Sequence, residues 1–336
     1  MIHQNSHLLT TSVSPLTSIS EPSSTIISQN NLDPRCCKPL QHVKSTRSDK
    51  KKEYTAEKIR KRFWKEVHVR KIDNSRPLRR SNNKILTIPV TKPNLATAIA
   101  VEWDLLVSTQ QALKPHMIPL TSLTSRALDI EDSEGISNDN AESIRSNIAT
   151  SLLRYFDTDS LLCWAPSPPI DPPGYEKHKS RTEPLCILQK RAASPIVEFL
   201  QKKLWPGVKI EPILDGHSII PKAHSPKTRE IIYNWIHGLN AWDLAALERG
   251  VLAGKGLLGA VRLVVEWGEN FRHLIDDGER QTRQSFGIEE AARVFSLEVE
   301  WQTSMWGLVE DTHDVDREDL RRQLGSVVVL VSGCRS

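Results

Sequence analysis

Beyond about residue 90 apolar positions recur at helical spacing, whereas the stretch before it alternates over short runs. Phe63–Ile72 alternates through Val67 and Val69, the pattern of a half-buried strand. Ile85–Val90 is a second short strand, stopped by Pro89 and Pro93. Helices are expected over Thr91–Leu106, Pro119–Ile130 and Ile144–Phe156. In the first, Thr91 serves as cap, Pro93 suits the first turn, and Leu95, Ile99 and Trp103 share the core face. Leu185–Leu204 is amphipathic but broken at Pro195, and Val208–Ile213 reads as a short strand. Ser225-Pro226 opens a helix running to about Gly238. Asn240, with Asp243 three residues on, caps one long helix over Ala241–Glu266. A short charged helix near Asp316–Arg322 and an apolar element at Leu324–Val331 close the chain.

One stretch departs from clean patterning: Ser296–Gly307, SLEVEWQTSMWG. Its lead-in Gly287–Ala292 starts a helix with Glu289 and Glu290 in the first turn, where the positive dipole end favours acids. Ala291, Val294, Glu298, Trp301 and Met305 form one stripe; Ala292, Phe295, Val299, Gln302 and Trp306 form a second beside it. Each stripe carries one polar residue, Glu298 or Gln302. A carboxylate in an apolar stripe is costly unless partnered. Glu298 is therefore either a core residue bonded to a neighbouring helix or one kept for an external partner, with Trp301 and Trp306 as contact surface.

Composition adds an organisational boundary. The 336 residues are 38% apolar, enough for one large or two small domains. Lys and Arg number 45 against 41 acids, but 11 bases and 5 acids precede Phe63, leaving 34 and 36 after it. The positive excess thus lies in the leader, and a nucleic-acid binder would carry it on the folded body. Residues 1–30 hold twelve Ser or Thr, one acid and no Lys or Arg, so 1–60 reads as an unfolded, targeting-type leader, although no Arg-bearing amphipathic start is present. Residues 131–142 hold five acids and no base, and 165–184 hold six prolines; both read as exposed loops. Five scattered cysteines without CxxC spacing read as reduced thiols, Cys163 among them buried in an apolar run.

Three constellations could carry chemistry. Gly254, Gly256 and Gly259 match GxGxxG, but a phosphate loop needs a strand before it and free N–H groups at a helix start. Placed inside a long helix, these glycines instead admit a neighbouring helix, at roughly 1 kcal/mol each. Asp157-Thr158-Asp159 lacks a third ligand and reads as a cap and turn. Asp311–Asp316 with His313 reads as helix capping rather than a metal set. No cofactor or metal is expected, and no stretch is apolar enough to span a bilayer.

Arg62-Phe63-Trp64-Lys65-Glu66-Val67, Glu102-Trp103-Asp104, Asp157-Thr158-Asp159 and the Ser296–Gly307 stretch, in this order, resemble the mitochondrial F1-ATPase assembly chaperones of the alpha subunit, also called the assembly factor 2 family. The resemblance spans about Arg62 to Gly333. It implies an α+β fold: a small N-terminal strand-containing domain, 61–128, then a larger, mainly α-helical orthogonal-bundle domain, 129–333. It further implies a mitochondrial-matrix, non-enzymatic chaperone, monomeric when free. Such a protein binds the free alpha subunit of F1-ATPase, prevents its aggregation and yields it to the beta subunit. The client-binding residues so implied are Glu298, Glu300, Trp301, Gln302 and Trp306. The rival reading is a cofactor-dependent enzyme using glycines 254–259. Two departures stand out. Relatives run a further strand between the segments matching Trp64–Val69 and Arg76–Arg79, where only Lys71–Ser75 intervenes. Either that strand is lacking, which would leave a sheet edge unpaired, or coding sequence has been lost. A family Trp-Asp-Pro motif is reduced to Ala193-Ser194-Pro195, of which the proline alone matches.

Overall fold

A computed structural model describes residues 8–15, 61–62, 64–71, 78–80, 82–134, 144–167, 183–275, 285–309 and 311–333. Strand β1 (Leu8–Pro15), β2 (Trp64–Lys71) and β3 (Thr87–Pro89) form an antiparallel sheet in the order β2-β1-β3. Helices follow: α1 (Pro93–Asp104), α2 (Pro119–Glu134), α3 (Ile144–Phe156), α4 (Leu185–Phe199), α5 (Pro226–His237), α6 (Ala241–Gly254), α7 (Leu257–Trp267), α8 (Ile288–Trp306) and α9 (His313–Val331). The α+β class and its division into a small strand-bearing start and a larger helical body agree with the sequence.

The sheet contains an element that patterning did not isolate. β1 lies within the stretch read as leader, yet pairs along β2 from Leu9↔Lys71 to Ser14↔Glu66 and along β3 from Leu8↔Pro89 to Thr10↔Thr87. It occupies the central position, so β2 and β3 pair with it and not with each other. The sheet is sewn to α1 by the residues of two resemblance motifs. Arg62 donates to the Asp104 backbone carbonyl at 2.6 Å; the buried Trp64 ring tilts on Trp103 at 5.3 Å and donates its Nε1–H to the Trp103 carbonyl. Glu102 accepts from the N–H groups of Leu120 and Thr121 and from the Thr121 hydroxyl, satisfying donors that α2 leaves open at its start. Burial raises the Glu102 pKa against the pull of those donors.

The main core joins this unit to the helices: Leu86, Ile88, Leu95 and Ile99 pack in one cluster with α2, α6, α7 and α9, beside a smaller cluster of Trp64, Leu106 and Ile118. Lys92 crosses the seam, buried, its ammonium paired with Glu269 at 2.6 Å and bonded to the Val331 carbonyl. At the centre lie α6 and α7. Every residue from Leu257 to Glu266 is buried, as expected of a helix apolar nearly all round, and its two charged members, Arg262 and Glu266, pair with each other.

Local cap chemistry reads true where both partners sit within three residues. Ser225 accepts from Thr228 N–H, with Pro226 at the first helical position, and Asn240 accepts from Asp243 N–H. Several boundaries differ. Thr91 is not the cap of α1; Lys92 holds that position. Helix α2 continues to Glu134 because its terminal acids have partners: Glu131 accepts from Trp242 Nε1, Asp132 pairs with Arg80 and Lys84, and Glu134 pairs with Arg145. Helix α4 runs through Pro195 and ends in a π-helical turn at Leu200–Leu204. Val208–Ile213 is no strand; its buried Val208, Ile210 and Ile213 pack as irregular chain. The charged segment and the apolar tail near the C-terminus are one helix, α9. Most consequentially, Ala241–Glu266 is not one helix: Lys255 takes a left-handed conformation, φ 54°, and the chain restarts as α7.

Candidate functional site

That break exposes the N–H groups of a helix start where the glycines lie, the very geometry that an anion would seek. The fold fills it from within. Asp159, fully buried, accepts from Leu257 N–H at 2.7 Å and Leu258 N–H at 2.8 Å through Oδ2, and from Leu161 N–H at 3.0 Å through Oδ1. Burial pushes its pKa up to about 6, against the opposing pull of those three donors. Asp157, two residues earlier, pairs with Arg229. Sequence patterning gave the Asp-Thr-Asp motif a local turn role; its main partner lies 98 residues away, beyond any spacing rule.

The glycines have a second task. A Cβ at Gly254 would meet the Phe295 ring at 2.5 Å and one at Gly259 would meet it at 2.8 Å. They let α8 press a phenyl ring onto the α6–α7 junction. The close-packing account of the cluster therefore stands, with the correction that it packs around a break rather than inside a continuous helix.

From this anchor α8 runs outward. Glu290 accepts from Gly287 N–H at its start, Ala291 and Ala292 are buried, and Phe295 seats on the glycines. Beyond Phe295 the helix leaves the core. Glu298, Val299 and Glu300 are exposed. Among the described residues neither acid forms an ion pair; Glu298 accepts one bond from Gln302 Nε2, at 3.2 Å. Trp301 is half-buried, its Nε1–H given to the Glu183 carbonyl, and its ring meets Trp306 edge-on at 6.3 Å. Trp306 itself is 76% exposed. Gly307, φ 92°, ends the helix. Leu308, Val309 and Val315 follow, all exposed like Met305 and Trp306 before them. His313 accepts from Val309 N–H through Nδ1, which shapes this turn.

The five residues picked from sequence are therefore together on the outer half of α8. Glu298, Glu300 and Trp306 reach water, Gln302 steadies Glu298, and Trp301 braces the helix from beneath. Leu308, Val309 and Val315 were missed because they lie outside any periodic run. Cys163 is half-buried rather than sealed, whereas Cys186 is buried; both are free thiols. Among the described residues no helix is long and apolar enough to cross a membrane.

The sequence model of the family described as ATP12 chaperone protein matches residues 61–201. Protein atp12, mitochondrial, of Schizosaccharomyces pombe is 32% identical over 279 residues, covering 80% of this chain and 81% of the relative. The chain belongs to the ATP12 chaperone family. Protein ATP12, mitochondrial, of Saccharomyces cerevisiae is 27% identical over 293 residues, covering 81% of this chain and 84% of its own length. Among solved structures, Atp12 from Paracoccus denitrificans superposes with a TM-score of 0.52 at 20% identity, over 80% of this chain and 98% of that one. That likeness is one of fold. The family model ends at Gln201, in the π turn after α4. The outer half of α8 lies beyond that match, and its reading rests on its own geometry.

Proposed function

We propose that this ATP12-family chaperone serves ATP synthase assembly in the mitochondrial matrix, binding the free alpha subunit of F1-ATPase through the outer half of α8. The observation that supports this most is the state of that half-helix: two carboxylates that form no ion pair among the described residues, beside an uncovered tryptophan. A lone subunit of a ring exposes interface surface that aggregates, and a binder must cover that surface yet let go when the next subunit arrives. Exposed acids around a small aromatic centre suit a contact that is selective without being tight. Handover to the beta subunit then draws on the stronger subunit–subunit contact, and the chaperone acts as a monomer with no catalytic step. Both curated relatives carry mitochondrial in their names, which supports the compartment.

The rival reading, an enzyme holding a cofactor at Gly254–Gly259, meets a specific obstacle. The helix-start donors that would grip a phosphate are held by Asp159, and the glycine faces are covered by Phe295. A nucleotide screen by thermal shift should accordingly show no stabilisation, since a true ligand in excess would raise the melting temperature. The decisive experiment is capture of purified alpha subunit by wild type and by Glu298→Gln, Glu300→Gln and Trp306→Ala. Loss of capture by folded variants supports the proposal; normal capture by all three would remove this face from it.

A further inference from the structure

Along its first half α8 borders a cavity of about 670 Å³, walled on the opposite side by α4 and floored by α7. Its apolar lining comes from Ala192, Ile196, Phe199, Phe286, Val294 and Leu297. At its base the buried Arg262 guanidinium lies 3.8 Å from the Phe199 ring centroid and 5.3 Å from that of Phe286, paired with Glu266. The rim is cationic: Arg191, Lys202 and Lys203 on the α4 side, Arg293 on α8, against the acids Glu198 and Glu290. The Glu290 carboxylate already accepts from Gly287 N–H, and Arg191 pairs with Glu183. Lys202 and Arg293, one on each wall, are exposed and form no ion pair among the described residues.

We infer that this groove is a second docking site, taking an amphipathic helix with acidic flanks from a protein partner. An apolar trough between two helices receives the greasy face of a third, read as anchors one turn apart. Cations on both lips then select the charge of the segments bordering that face and set its direction of approach. A basic helix of equal hydrophobicity meets the same trough and the wrong rim. The site occupies the first half of α8, and its rim is cationic. The acid-and-tryptophan surface lies on the outer half, with Trp301 reaching back to Glu183, the partner of Arg191 on the rim. One helix therefore carries two stretches of different selectivity, and this inference stands whether or not the alpha subunit is the client of the outer face.

The test uses the full-length chain and two labelled synthetic helices of about 18 residues, five turns, sharing one apolar face but carrying acidic or basic flanks. Fluorescence anisotropy should show the acidic helix binding and weakening as salt rises, with the basic helix bound at least roughly ten-fold more weakly. Lys202→Glu with Arg293→Glu should reverse that preference. Both positions are exposed, so the fold is kept. Ala192→Trp, which projects an indole ring into the trough, should weaken either helix. Equal binding of the two helices, or a preference untouched by the charge reversal, would overturn the inference. So would binding of phosphatidylglycerol vesicles, but not of the acidic helix, lost on charge reversal: the groove would then be a lipid site. Because the outer-face residues are unaltered in these variants, alpha-subunit capture measured alongside reports separately on the proposed function.

Discussion

Asp159 and Glu298 are both acids in motifs that carry the family likeness, and the fold treats them in opposite ways. Asp159 is sealed, with three backbone N–H groups around it. Glu298 stands in water with one amide for company. The difference lies in what surrounds each. Where the chain breaks at Lys255 it leaves N–H donors inside the core, and an internal acceptor, the Asp159 carboxyl, meets them. Where α8 leaves the core, Glu298 meets only the Gln302 amide among the described residues, so little of the fold depends on its carboxylate. An acid with internal partners is part of the fold, and one without them beside bare aromatic surface is available to a partner.

Removing the sealed acid should have the largest effect. Asp159→Ala leaves the N–H groups of Leu161, Leu257 and Leu258 without their acceptor, a loss of about 3 kcal/mol by urea unfolding at pH 5. The pH dependence follows from the pKa. The carboxyl titrates at about 6 in the fold and at 3.8 when unperturbed, so the folded chain holds its proton to higher pH than the unfolded chain. Stability contributed by this group therefore falls as pH rises from about 4 to about 6, and the gap between wild type and Asp159→Ala narrows over that window. A gap that widened instead would mean that the three donors outweigh burial and that the charged form is the favoured one.

Next in size is the packing that this junction permits. Gly254→Ala sets a methyl against the Phe295 ring, which overpacks the α6–α8 contact. The expected cost is about 2 kcal/mol, less what alanine returns in helix propensity. Phe295→Leu in the same chain should recover part of it, and the double-mutant cycle measures the coupling. If the two substitutions simply add, the glycine is there for backbone conformation and not for the ring. A smaller loss, about 1 kcal/mol, is expected from Glu102→Ala, which strips the start of α2 of its acceptor.

These sites also show which features the sequence could disclose. Ser225 and Asn240 were legible as caps because donor and acceptor are three residues apart and each residue type favours that geometry. On α8 the acid in an apolar stripe was legible as an anomaly, but the stripe alone left open whether Glu298 is a core residue or an exposed one. Asp159 was not, since nothing near it in sequence announces the helix start that it caps. The break at Lys255 was hidden for a related reason: apolar spacing continues across it, and Gly254 and Gly256 fit a packed helix as well as a kink. The full length of α2 was obscured by its acids, which look solvated until Arg80, Arg145 and Trp242 arrive from elsewhere. Central strand β1 was passed over because its Ser and Thr residues suit a leader as readily as a strand, and its neighbours β2 and β3 are distant in sequence.

The smallest expected effect on stability is the most informative about function. Glu298→Gln keeps the size of the side chain, removes a charge that pairs with no cation among the described residues, and leaves the Gln302 amide an oxygen to donate to. Its unfolding free energy should stay within about 0.5 kcal/mol of wild type, as for ordinary surface substitutions. Trp306→Ala should behave likewise, because a ring 76% exposed has little burial to lose. Trp301→Ala is the internal control on the same helix: it loses the bond to the Glu183 carbonyl and the brace under α8, so stability should fall measurably. Set against Asp159→Ala, the comparison then takes a quantitative form. An acid held by the fold costs stability when removed, and an acid held for a partner costs capture alone. Should Glu298→Gln unfold the chain as readily as Asp159→Ala, the two acids would share one structural role, and the outer face of α8 would no longer support a docking surface.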